Sequence, residues 1–258
     1  YLPEFRKIRS DNRNFINLCL NSNLSSEITL QPIHRYDLDA AIIFSDILMV
    51  PYALGQNVEF IKDEGPKLDK FSLEKFLDNN KKDFTNKLSP VYEAISKTRS
   101  KLNKDKTLIS FIGAPWTLLI YMLSLDKDKS SNQGQVEKKD TTLILQILNN
   151  YLSLHIKNQI DAGADIVQIF DSWSGLLEKQ HLNKFCYEPN YKLVNFCREK
   201  KIPVICFPKG INENYKNFNN IVKPDGINID PMLEPNWCKK NLKNVVIQGG
   251  LDPKILLK

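Results

Sequence analysis

The run Ala40-Ala41-Ile42-Ile43-Phe44-Ser45-Asp46-Ile47-Leu48-Met49-Val50-Pro51 sets a carboxylate inside an apolar stretch. Ala40–Phe44 is small, branched and aromatic with no polar alternation, the pattern of a strand buried on both faces. Asp46 stands at its exit. A carboxylate removed from water without a partner costs several kcal/mol or is driven to take up a proton. Its position therefore needs a reason, whether a helix cap, an arginine partner or chemistry. Other apolar runs also end in small or polar residues: Phe111-Ile112-Gly113-Ala114-Pro115, Phe170-Asp171-Ser172 and Phe207-Pro208-Lys209-Gly210. In a parallel barrel the carboxyl ends of the strands build the site. An Asp after one strand and a Ser after another would then face one mouth.

Six runs predict the strands that would carry these exits: Leu38–Phe44, Thr107–Gly113, Asp165–Phe170, Pro203–Phe207, Gly226–Asp230 and Asn244–Gln248. Helical patterns lie between them. Ser89-Pro90 predicts a helix start, with a cap residue and Pro at the first helical position. Thr141 or Thr142 opens another helix, with apolar Leu143, Ile144, Ile147, Leu148, Leu152 and Ile156, ending at Ala162-Gly163. Tyr191–Lys200 is a third, and Leu73–Leu77 a short one within the surface-type run Lys62–Lys87. Alternating strands and helices indicate an α/β fold. No repeat or linker divides residues 1–258, which are expected to form a single barrel domain. The polar segment Ser124–Asp140 is expected to be a mobile surface insertion.

The 258 residues, 42% of them hydrophobic, suffice for one large core. No apolar run approaches the roughly 20 residues of a membrane helix. The net charge of +6 is spread along the chain among Asp and Glu. It forms no basic stripe with stacking aromatics, which argues against nucleic acid as a partner. The five cysteines, Cys19, Cys186, Cys197, Cys206 and Cys238, form no CxxC pair. That spacing fits reduced thiols rather than a disulfide framework or a Cys/His metal centre.

Five long motifs, YLPEFRKIR at Tyr1–Arg9, TLQPIHRYDLDAAIIFSDILMVPYALG at Thr29–Gly55, FIGAPWTLLIYM at Phe111–Met122, AGADIVQIFDSWSG at Ala162–Gly175 and QGGLDP at Gln248–Pro253, resemble those of the uroporphyrinogen decarboxylase family, in the family's order. The resemblance implies a (β/α)8 TIM-type barrel, a homodimer and a carboxy-lyase of heme biosynthesis. Such an enzyme converts the four acetates of uroporphyrinogen III to methyls, giving coproporphyrinogen III and CO2, with no metal or organic cofactor. It also implies roles. Asp46 would accept the pyrrole N–H groups of the tetrapyrrole and stabilise the cationic ring formed before CO2 leaves. Tyr121 would hydrogen-bond near the substrate. Arg9 and Ser172 would bind its carboxylates, and Phe5 and Phe170 would line the pocket. Arg6 reads as a surface residue beside Glu4, and His34 as structural.

The family pattern has an arginine loop of the form RQAGR before YLPEF, and a strand ending in GHG beyond LDP. The present sequence starts at that Tyr and stops at Lys258, so six strands are expected, the first and last of the barrel being absent. Gly250 stands where the family has Asn, and Asn228 where it has Asp. Two alternatives follow: a zinc-dependent barrel methyltransferase of the related superfamily, and a truncated tetrapyrrole-binding paralogue without turnover. The setting expected is the cytoplasm, or a plastid if a transit peptide lies upstream.

Overall fold

The computed structural model describes residues 2–61, 64–125 and 139–257. The expected insertion Ser124–Asp140 falls almost wholly outside them. The chain gathers into two compact units. One comprises Tyr1–Ile112, Tyr121–Ser124 and Tyr151–Ile166; the other comprises Gly113–Ile120, Leu125–Asn150 and Val167–Lys258.

The first unit opens with helices α1 (Pro3–Asp11), α2 (Phe15–Cys19) and α3 (Ser22–Arg35). Its Asn residues supply several caps: the Asn14 and Asn21 side chains accept from Asn17 and Leu24 N–H at 2.9 and 3.1 Å. Each satisfies a donor that the first helical turn leaves free. Strand β1 (Ala40–Ile42) leads to the short α4 (Met49–Ala53), and β2 (Val58–Ile61) with β3 (Gly65–Leu68) makes an antiparallel hairpin. After α5 (Leu73–Leu77) comes the long α6 (Lys81–Lys101), then β4 (Thr107–Gly113), which pairs in parallel with β1 through Ala41 and Leu108. Leu30, Ala41, Ile43, Ile95, Leu108 and Ala164 pack into one buried cluster between them. β1 is shorter than expected, and Ile42 is 52% exposed, so this strand is not buried on both faces.

Helix α6 also corrects the reading of Ser89-Pro90, which lies inside the helix. The helix begins nine residues earlier, where the Asn80 side chain accepts the Asp83 N–H at 2.9 Å. Pro90 cannot donate to the Asn86 carbonyl one turn back. The Ser89 hydroxyl donates to that carbonyl instead, at 2.8 Å. Ser89→Ala is therefore expected to destabilise the fold by about 1 kcal/mol, read as a lower urea midpoint at unchanged m. An unchanged midpoint would show that solvent serves the carbonyl equally well.

Helix α7 (Pro115–Met122) and helix α8 (Lys139–Asp161) contribute to both units. α8 ends as expected: Gly163, at φ +109°, takes the left-handed turn after it. Four of its predicted apolar positions, Ile144, Leu148, Leu152 and Ile156, are buried, while Leu143 is exposed.

The second unit carries β5 (Ile166–Asp171), α9 (Glu188–Glu199), β6 (Val204–Pro208), α10 (Tyr215–Val222), β7 (Gly226–Ile229), α11 (Pro235–Asn241) and β8 (Val246–Gly249). Strands β5 to β8 pair in parallel, in chain order. A parallel neighbour needs a crossover, and a helix supplies each one. Thus the six predicted parallel strands are all present, each followed by helical structure, in the order of a (β/α) barrel.

Candidate active site

In the first unit, α1, the start of α2 and the exit of β1 border an open groove of about 1370 Å3. Phe5, Arg6, Arg9, Ser10, Arg13, Phe15 and Phe44 line it. Pro3 at the head of α1 and the i, i+3 spacing of Arg6 and Arg9 set both arginines on one helix face. The rings form a connected floor: Phe5 and Phe15 stand 5.7 and 5.8 Å from Phe44, and Phe60 lies 4.5 Å behind Phe15. The Arg9 guanidinium sits 5.5 Å over the Phe15 ring, a cation–π arrangement. Its Nη1 donates to the Asn12 and Arg13 carbonyls, both at 2.7 Å, which closes the end of α1.

Asp46 lies two residues beyond Phe44. Its Oδ1 accepts the Leu48 N–H at 2.8 Å, and no ion pair reaches it among the described residues. Burial pushes its pKa up to about 6, and the Leu48 bond opposes that only partly. The buried Cys19 thiol responds to both charges: Asp46 raises its pKa and Arg9 lowers it, beyond the larger upward push of burial. A half-buried carboxylate and a guanidinium therefore act on one small region without neutralising each other. Tyr121, half-buried at the last turn of α7, belongs to this same unit.

Phe170 and Ser172 belong to the second unit, both half-buried at the exit of β5. The Phe170 ring meets Phe207 edge-on at 6.5 Å. The loop carrying Ser172 is fixed from below. Asp171 is fully buried; its two carboxylate oxygens accept from the Thr117 hydroxyl at 2.8 Å and the Asn190 amide at 2.9 Å. Burial raises its pKa to about 6 against these hydrogen bonds. Thr117 also accepts the Trp173 N–H at 3.1 Å, so one hydroxyl ties the residues on both sides of Ser172. The Ser174 hydroxyl donates to the Asp171 and Lys209 carbonyls at 2.8 and 3.0 Å. Gly175 allows the β5 and β6 exits to touch: a Cβ there would lie 2.9 Å from the Gly210 Cα.

Phe5 and Arg9, expected from the sequence at the substrate, line the groove; Arg6 is exposed as expected but faces this groove, while Arg13, Phe15 and Phe44 join it without a motif that singles them out. The spacing of three arginines across eight residues was the available signal. Asp171 showed the same strand-exit signature as Asp46, but its partners are distant in sequence. Among the described residues, no three His, Cys, Asp or Glu side chains could hold a metal ion. Among the same residues, no helix is long and apolar enough to cross a membrane.

Comparison with known proteins bears on the fold and the family. A methyltransferase from Methanosarcina mazei shares the fold, with a TM-score of 0.65 over 90% of this chain and 80% of that one, at 16% identity. The sequence profile of uroporphyrinogen decarboxylase (URO-D) matches residues 1–258. The uroporphyrinogen decarboxylase of Orientia tsutsugamushi (strain Ikeda) is 42% identical over 264 residues, covering 100% of this chain and 77% of that protein. That of Rickettsia felis is 39% identical over 269 residues, covering 100% of this chain and 76% of its own length. With a profile match along its whole length and relatives this similar, the chain belongs to the uroporphyrinogen decarboxylase family, whose fold is the TIM-type α/β barrel.

Proposed function

We propose that this chain decarboxylates the four acetate side chains of uroporphyrinogen, giving coproporphyrinogen and CO2, with Asp46 as the group that stabilises developing positive charge. The observation that carries the assignment to Asp46 is a carboxylate lifted to about 6 by burial, with one backbone N–H as its hydrogen-bond partner among the described residues. An acetate on a pyrrole loses CO2 readily only when the ring has first taken a proton and become an electron sink. The bond between the methylene and the carboxylate then breaks, its electron pair enters the ring, the methylene is protonated to a methyl, and the ring gives up the proton it first took, so that the aromatic pyrrole is restored. Each step consumes one proton and releases one CO2. The ring is cationic only after it takes the proton, so a fixed carboxylate stabilises that state more than the neutral ground state.

Arg9 would hold a substrate carboxylate through the guanidinium N–H groups not engaged at the end of α1, since a planar fork suits a carboxylate. Phe5 would offer the pyrrole faces an apolar wall. Ser172, Phe170 and Tyr121 complete the proposal as a carboxylate contact, a wall and a hydrogen-bond donor. The family likeness supports a homodimer in the cytoplasm, with the tetrapyrrole as its small-molecule partner.

The test is an anaerobic incubation with uroporphyrinogen, oxidation to porphyrins and chromatographic counting of carboxyl groups. Products with seven, six, five and four carboxyls are expected in succession. Unchanged octacarboxylate would remove the proposal and leave the binding-only alternative.

A further inference from the structure

We propose that Arg6 and Arg13 anchor the carboxylates that the reaction leaves in place, the substrate's propionates. This rests on the tetrapyrrole reading of the groove. The chain has six arginines. Arg35 pairs with Glu4 at 2.6 Å. Arg99 pairs with Asp165 at 2.8 Å and donates to three carbonyls as well. Arg198 donates to Asn195 and to the Lys223 carbonyl. Arg9 closes α1. Only Arg6 and Arg13 lack a side-chain partner among the described residues, and both line the one groove that also holds Arg9.

A lone exposed arginine is usually just solvated. Three in one concave, aromatic-floored groove are different. No acidic side chain is among the residues lining it. Like charges focused in a cleft with an apolar floor attract anions. Arg9 also positions the third cation, because its Nη1 holds the Arg13 carbonyl at 2.7 Å and so fixes the backbone from which Arg13 projects.

The substrate's chemistry selects the carboxylates. Turnover removes acetates one at a time, from eight carboxylates to four. Anchors on acetates would lose their hold as the reaction advances. Anchors on propionates serve every intermediate equally.

The experiment measures fluorescence-quenching affinity for uroporphyrin, with eight carboxylates, and coproporphyrin, with four propionates. Wild type is compared with Arg6→Gln, Arg13→Gln, the double variant and an Arg6→Lys/Arg13→Lys control. Each single change is expected to weaken both ligands by about threefold to tenfold, and the double change by more than about tenfold. The factor should be the same for the two porphyrins and shrink at high salt. In turnover, KM should rise while kcat stays within about twofold. The lysine control should recover most of the affinity. Both side chains are exposed, and an unchanged circular dichroism spectrum verifies that the variants fold. Weakening of uroporphyrin alone would assign the arginines to acetates and overturn the proposal; unchanged affinity for both would also overturn it. A wild type that binds both porphyrins but forms no product would remove the decarboxylase reading while leaving the anchors standing.

Discussion

Asp46→Asn is expected to lower kcat by about two to three orders of magnitude, the usual cost of removing one fixed electrostatic stabiliser from an active site. The same change should leave the fold intact and make it slightly more stable at neutral pH. The reason is the sign of the Asp46 shift. Its folded pKa, about 6, stands above the ordinary 3.8 because burial disfavours the charged form. A group shifted upward contributes stability that is fully present below about pH 4 and is lost as pH rises through 6. At pH 8 the protein therefore holds a charge that weakens it, by about 1–3 kcal/mol at most. Asparagine is nearly the same size and can accept the Leu48 N–H without that charge. Melting curves at pH 8 should show a higher Tm for Asp46→Asn, and the difference should close by pH 4.5. Lower activity with higher stability is the signature of a group kept for chemistry. A variant that lost both would make Asp46 a structural carboxylate.

The pH profile offers an independent check on the same residue. A charge stabiliser works only when ionised. The kcat/KM of the wild type should fall below about pH 6, the value burial gives Asp46. Asp46→Asn should flatten that limb along with the rate.

The strands were the most legible part of this fold, because each parallel strand is a short apolar run between turn residues. The expected Thr107–Gly113 coincides with β4, and the other strands lie within two residues of expectation at either end. What failed was set by competition between local signals. Ser89-Pro90 looks like a helix start, but Asn80 caps the chain sooner and the Ser89 hydroxyl repairs the missing bond. The β2–β3 hairpin was hidden because Pro66 and charged residues break its alternation, while Gly65 takes a positive φ within it.

In the candidate site, residues carried by long motifs were legible, and those placed by packing were not. Phe15 and Phe44 become a floor only when α2 meets the exit of β1. Arg6 looked like surface beside Glu4, yet Glu4 pairs with Arg35, 31 residues away, and leaves Arg6 to the groove. The Asp171 network shows the same limit: its donors Thr117 and Asn190 lie 54 and 19 residues away.

That network carries the largest stability effect expected of one substitution. Thr117→Val keeps the shape but removes a hydroxyl that donates to Asp171 and accepts from the Trp173 N–H. The buried carboxylate keeps the Asn190 amide, the Cys186 thiol and the Thr117 N–H but loses its hydroxyl donor, and the Trp173 N–H loses this acceptor. Together these should cost about 2–4 kcal/mol at pH 8. The cost must depend on pH. Asp171 already titrates near 6, raised from 3.8, so its ionised form is the one that needs the donors. Removing Thr117's hydroxyl raises that pKa further. The stability tied to Asp171 is present below about pH 4 and is lost as pH rises through 6, more steeply in the variant. Tm should therefore fall by several degrees at pH 8 and by clearly less at pH 4.5. Thr117→Ser, which keeps the hydroxyl, should restore most of the difference. An equal loss at both pH values would assign the whole cost to the Trp173 N–H and none to Asp171. Ser172 sits between Asp171 and Trp173, so the valine variant should also raise KM at temperatures where it is still folded. If KM stayed at the wild-type value, the anchoring of the β5 exit would matter for stability alone, and Ser172 would lose its place among the substrate contacts.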